Sequence, residues 1–248
     1  MRPSPRPALI VLLAALATPA HADGPEPYAI DPVHTRVMFA VEHAGFSKAL
    51  GTVSGSTGAL LFDPEDWTAA RLDVRVPMAA IDLGDEGWNR ATLARNLLDA
   101  QQHPEARFVS RDVTPVDEDT ARACGELTLR GVTRPLCMDV TLNALKRHPM
   151  PPFRRTAGFS ATATLSRADY GITAWKSVIG DEVELRIEAE AVRDDDALAV
   201  LEQASPAPDA AVDAPPVADE PPAAEPDVSV DDAESRSDTP PDPTEPTP

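Results

Sequence analysis

DPVHTRVMFAVEHAGFSKALGTVSG, residues 31–55, decides how this chain folds. Val37, Phe39, Val41 and His43 fall on one face of an extended strand, because side chains alternate with period two. Met38 and Ala40 make the other face apolar too, so the strand is covered on both sides over its middle. Pro32 fixes its start, and Gly45, Gly51 and Gly55 mark the return of the chain. A strand this apolar needs later strands to close around it.

Period two continues through most of residues 28–193. Leu72, Val74 and Val76 alternate with Arg71, Asp73 and Arg75 up to Pro77. Phe108 and Ser110 alternate with Arg107, Val109 and Arg111. Residues 121–142 read as a hairpin about Arg130-Gly131, with Leu127, Leu129 and Val132 on one face. Phe159, Ala161, Ala163 and Leu165 form a further strand. In the last one, Val183, Leu185, Ile187, Ala189 and Ala191 alternate with Glu182, Glu184, Arg186, Glu188 and Glu190. Only residues 85–100 change character: Trp88, Thr92/Leu93, Asn96/Leu97 and Ala100 recur at helical spacing, between Asp82/Asp85 caps and Pro104. The spacing predicts one long helix lying as a lid or plug against the sheet.

The fold class is therefore all-β, with about eight antiparallel strands. One helix is too little cover for eight single-faced strands, whereas a closed barrel buries those faces and removes free edges. A two-sheet sandwich is the structural alternative. A barrel of about eight strands is either filled by its own side chains or holds one slender ligand.

The two ends of the chain stand apart from this core. Residues 1–22 read as a signal peptide, with Arg2 and Arg6, an apolar run at 8–17, and Ala20-His21-Ala22 as the cleavage site. No cysteine follows the site to take a lipid anchor, and no later stretch reads as a membrane-spanning helix. Export to the periplasm is the expectation, with secretion as its alternative. Residues 194–248 hold sixteen Asp/Glu against one Arg and twelve prolines, with no aromatic residue. That composition reads as a disordered acidic tail, either solubilising or a docking arm for a basic partner. Residues 23–193 carry a net charge of only −6 out of the chain's −19. Such an acidic chain is repelled by the phosphate backbone, so nucleic acid is not an expected partner.

Chemistry is sparse. His34 and His43 have opposite parity along the strand, and no HxH or HExxH spacing occurs, so no metal site is expected. Gly45-Phe46-Ser47-Lys48-Ala49 lacks the second glycine and the strand-to-helix turn of a nucleophile elbow. No phosphate-cradling loop opens a helix. The reading is of no catalytic residues and no cofactor. Cys124 and Cys137 face each other if the hairpin turn is centred between Arg130 and Gly131, and export permits a bridge. Pro135 can force a bulge that separates them, so a disulfide and two free thiols both stay open. A closed barrel with an apolar lining and no chemistry reads as a carrier or sensor of an apolar molecule. The competing reading is a solid core of Phe39, Val41, Phe108, Phe159 and Ile187.

Five ordered stretches resemble the YceI-like domain of exported bacterial proteins: YAIDPVHTRVMFAVEHAGFSKALGTVSG, RNLLDAQQHPEARFVS, GELTLRGVTRPLCMDVTL, SRADYGI and VIGDEVELRIEAEAV. The resemblance covers about residues 28–193. It implies a lipocalin-like barrel with a helix, an elongated apolar cavity for polyisoprenoid or fatty amide chains, and no established enzyme activity. Leu97-Leu98 stands where the family commonly has an aromatic pair, and neither the acidic tail nor the cysteine pair is general to it. Carried over residue by residue, the lining is Val37, Phe39, Val41, Phe108, Leu127, Leu129, Phe159, Val183, Leu185 and Ile187. Trp88, Leu93 and Leu97 would close the cavity from the helix, and His43, Arg90 and Arg167 are head-group candidates. The expected ligand is an isoprenoid, isoprenoid-quinone or acyl lipid; a homodimer stays open. The alternative function is an envelope stress or interaction protein with a filled barrel, acting through its surface and acidic tail.

Overall fold

A computed structural model describes residues 24–204. The signal peptide read at residues 1–22 and the tail beyond residue 204 lie outside the described residues. The strands are β1 (Glu26–Ile30), β2 (Arg36–His43), β3 (Ser47–Ser54), β4 (Thr57–Phe62), β5 (Arg71–Pro77) and β6 (Ile81–Asp82). They continue as β7 (Glu105–Pro115), β8 (Thr120–Leu129), β9 (Val132–Arg147), β10 (Arg155–Ser166) and β11 (Ile179–Arg193). Two short helices accompany them, α1 (Glu86–Leu93) and α2 (Ala197–Ala204).

Eight of these strands form an antiparallel ring, β1-β4-β5-β7-β8-β9-β10-β11, closed by β1 on β11. The other three extend staves of the same ring. β1 and β2 pair with successive stretches of β11, so they are two halves of one stave broken at residues 31–35. β3 and β4 pair in turn with β2 and β1, with their own break at residues 55–56. β6 continues β5 by pairing with β3. Eleven segments thus make eight staves, and the barrel is closed rather than split into a sandwich.

The breaks are built by local chemistry. The Asp31 carboxylate accepts the backbone N–H groups of Val33 and His34 at 2.8 and 3.2 Å, turning the chain after β1. Gly55, at φ +77°, donates its N–H to the Pro32 carbonyl, so the two breaks lie side by side. In the β8–β9 hairpin Arg130 and Gly131 have φ of 51° and 73°, the double positive φ of a type I′ turn. The register then runs unshifted through Glu126 opposite Pro135 and Cys124 opposite Cys137. Pro135 forces no bulge, and the two cysteines form a disulfide.

Two expectations are corrected. The segment at 85–100 is not one long helix. Asp85 caps α1 by accepting the Trp88 N–H at 2.9 Å, but helix ends at Leu93 and the chain continues in turns, with Asp99 at φ 49°. Asn96 and Asp99 favour turns because their short polar side chains compete for nearby backbone groups. The folded part also does not stop at Arg193. α2 buries Ala197 and Leu201 against Ala59, Ala29 and Leu61 of β4 and β1, on the outer side of the barrel. Among the described residues no helix is long and apolar enough to cross a membrane.

Candidate functional site

The barrel is solid at one end and hollow at the other. Tyr28, Ile30, Leu60, Phe62 and Trp67 fill the closed end with small neighbours such as Ala121, Ala157 and Ala191. Phe62, Trp67 and Phe159 meet edge to face, with ring centroids 5.0, 5.3 and 6.4 Å apart. That geometry matches the ring quadrupoles and makes a firm floor. Above it the staves enclose a cavity of about 620 Å³, within the usual range for small-molecule sites. The fully filled core, weighed above as the competing reading, is therefore not what this barrel has.

The lining follows from strand parity. Val37, Phe39 and Val41 of β2 point inward opposite Ile187, Leu185 and Val183 of β11, their register partners. Phe108 of β7, Leu127 and Leu129 of β8, and Phe159 of β10 line the same space. Gly51 lies opposite Phe39, whose ring occupies the place a side chain at 51 would take, 2.2 Å from a Cβ built there. The missing side chain lets that ring lie along the wall rather than across the bore.

The open end is flanked by α1, the turns after it, and residues 171–178. Trp88 and Leu97 line the cavity; Leu93 is half-buried but does not, because it lies about 140° around α1 from Trp88. The three head-group candidates fare differently. Arg90 lies outside the lining, exposed, 3.6 Å from Glu86 in an i,i+4 ion pair. Arg167 does line the cavity but is buried and bonded to backbone. Its guanidinium donates to the carbonyls of Gly180, Ile172, Ala174 and Ile179 at 2.7, 2.8, 2.9 and 2.8 Å. Four of its five N–H groups thus hold the 171–180 segment in place, a structural role. His43 lines the mouth with its ring 5.3 Å from that of Trp88.

Residues missed by the sequence reading include Met78, Ile81 and Leu83 after β5, and Ile172, Trp175 and Val178 between β10 and β11. They sit in short helical or looped stretches, or in the two-residue β6, where period two gives no signal. The apolar spacing 172-175-178/179 is the signal that could have found the second group.

The nearest approach to a metal cluster among the described residues is Asp31, His34 and Glu190, whose ligand atoms lie within 4.8 Å of one another. The His34 imidazole already bonds the Asp31 carboxylate at 2.8 Å, and that bond, with the charges of Asp31 and Glu190, raises its pKa. The group is an exposed ion pair beside the stave break.

Residues 28–191 match the family model of the YceI-like domain. The UPF0312 protein of Pseudomonas syringae pv. syringae is 34% identical over 139 residues, 56% of this chain and 71% of that one. That of Pseudomonas putida is 31% identical over 188 residues, 75% of this chain and 96% of the other. Among solved structures, BcnA of Burkholderia cenocepacia superposes with a TM-score of 0.58 at 21% identity, covering 65% of this chain and 98% of BcnA. A polyisoprenoid binding domain from Saccharophagus degradans, implicated in plant cell wall breakdown, superposes with a TM-score of 0.52 at 13% identity. It covers 67% of this chain and 98% of its own. The fold, the extent of the match and the relatives agree: this chain belongs to the YceI-like domain family.

Proposed function

We propose that this protein is exported to the periplasm and there holds a long apolar chain, a polyisoprenoid, an isoprenoid quinone or a fatty acyl or amide chain, inside its barrel. The observation that carries the reading is the half-hollow bore, walled almost wholly by aliphatic and aromatic side chains above a packed aromatic floor. Burial contributes about 0.8 kcal/mol per methylene before the costs of ordering the chain, so a prenyl or acyl tail binds by length alone. The signal-peptide pattern and the Cys124–Cys137 bridge suit an oxidising compartment. A relative in fold is described as a polyisoprenoid binding domain, which fits the same reading.

The protein acts as a binder rather than an enzyme. Among the described lining residues, Glu42, Arg71 and Arg167 are the Asp, Glu, Lys or Arg side chains present, and Arg167 is spent on backbone carbonyls. Titration of the mature protein with retinol, a fluorescent isoprenoid, tests the reading. Retinol emission rises on saturable binding, and Leu185→Trp, which fills the bore, weakens binding by at least about 10-fold, the cost of excluding a few methylenes. Failure of retinol, a fatty amide and a prenol alike to bind the mature protein overturns the proposal.

A further inference from the structure

The mouth of the cavity is ringed by aromatic side chains that face water. Phe46, at the tip of the β2–β3 turn, is 92% exposed; Trp175 is 61% and Trp88 45% exposed. Their elements are tied together. The Ala44 N–H beside the turn donates to the Val178 carbonyl, His43 pairs with Ile179, and the His43 ring lies 5.3 Å from Trp88. Trp88 and Trp175 also line the cavity, so apolar surface runs unbroken from the bore to the rim.

The Trp175 display is built, not incidental. Its backbone sits at φ 60°, a conformation that strains a bulky side chain and persists only when its surroundings impose it. The surroundings here are the four carbonyl bonds from Arg167, two of them to Ile172 and Ala174 just before Trp175, and the Val178 and Ile179 N–H groups on the Trp175 carbonyl at 2.8 Å. A fold that holds a large indole outward at the lip of a greasy tube exposes surface that monomeric proteins otherwise hide.

We propose that this rim docks on a zwitterionic lipid bilayer, with Phe46, Trp88 and Trp175 entering the headgroup layer so that a chain passes between membrane and bore without crossing water. Tryptophan suits that layer, its ring being apolar apart from one polar N–H, and the phenylalanine ring adds apolar area that inserts beside it. A chain of many methylenes leaves a membrane slowly through water, since each one exposed carries its full transfer cost. The chain's net charge of −19 gives it no long-range attraction to an anionic surface, so the contact is apolar. This inference rests on the lipid-holding reading above.

The test uses the mature protein and vesicles of phosphatidylcholine brominated on its acyl chains, which quench nearby indoles. The chain has three tryptophans, and Trp67 is buried in the closed end, so it serves as an internal control. Quenching is expected in the parent protein, in Trp88→Phe and in Trp175→Phe, and is lost in the double variant, where only Trp67 emits. Phe46→Ser, outside the lining, weakens vesicle binding about 5- to 20-fold, the worth of one partly inserted aromatic ring, while retinol affinity in vesicle-free solution stays unchanged. Quenching that is absent, or that persists in the double variant, overturns the docking. A concentration-dependent dimer that shields both rim tryptophans without lipid also overturns it, assigning the rim to a second copy. Loss of retinol binding with quenching retained would instead sink the cavity reading and leave the membrane contact standing.

Discussion

Tyr28 has no exposed surface and donates its hydroxyl to the Glu26 carboxylate at 2.7 Å. Burial, then that hydrogen bond and the Glu26 charge, push its pKa from 10.0 up to about 12. The sign follows from linkage: the folded state holds the proton more tightly, so the stabilisation is complete below pH 10 and is lost as pH rises toward 12. At 1.36 kcal/mol per unit this amounts to about 2–3 kcal/mol. Tyrosinate absorbance should show one residue titrating near 12, and Tyr28→Phe should flatten the alkaline fall in urea stability, leaving the part due to Tyr170, which burial and Asp169 also raise. Arg167 gives a second test at this scale. Arg167→Lys should lower unfolding stability by about 2 kcal/mol, because an ammonium cannot span four carbonyls that the planar fork satisfies. Unchanged stability with lost preference for an anionic-headed amphiphile would restore the head-group role. The sequence places this arginine in a matched motif at a strand end, which is why it reads as a ligand contact. Its true partners come from residues 172–180, a segment outside the period-two pattern, and only the closed fold brings them around it.

At the scale of elements, the β8–β9 hairpin is legible and α2 is not. Alternation about Arg130-Gly131 yields the register that faces Cys124 with Cys137, and the only doubt, a bulge at Pro135, is removed by unshifted pairing. Replacing both cysteines by alanine should cost about 3 kcal/mol, from the chain entropy of a loop whose ends lie 13 residues apart. Urea midpoints with and without reductant measure it directly, and the double variant should be insensitive to reductant. α2 is hidden because eight residues, ALAVLEQA, precede a long Pro- and acid-rich stretch whose composition dominates any average. Its first turn and Leu201 nonetheless cover an outward apolar strip at Ala29, Ala59 and Leu61. Leu201→Asp should destabilise the fold by about 2–3 kcal/mol, since it exposes that strip and places a carboxylate against it. A shift of the urea midpoint within error would return residues 197–204 to the tail. The helix at 85–100 is half legible: its cap at Asp85 and Trp88 stand as expected, while the turn-forming Asn96 and Asp99 end the periodicity that the apolar spacing alone prolongs.

For the whole molecule, strand parity tells which side chains point inward, and it assigns the lining contributed by β2, β7, β8, β10 and β11. It cannot tell whether those side chains meet across the bore. Filled and hollow barrels share the same period-two pattern, and the difference lies in volume: the stave count, the ring of Phe39 laid over Gly51, and the packing of Phe62, Trp67 and Phe159 at one end only. On the lipid-holding proposal, a chain enters past α1 and the 171–178 segment, opposite that floor. Bound ligand should therefore protect the mouth and leave the floor unchanged in hydrogen exchange, with the greatest slowing at residues 86–98 and 171–179. The central claim, that the bore exists to be occupied by a hydrocarbon chain, is met most directly by native mass spectrometry of the mature protein purified from its own host without detergent. The account predicts a mass above that of the polypeptide, with the excess released into organic solvent as a prenyl or acyl lipid. A bare polypeptide mass, unchanged after incubation with retinol and a long-chain prenol, would contradict it.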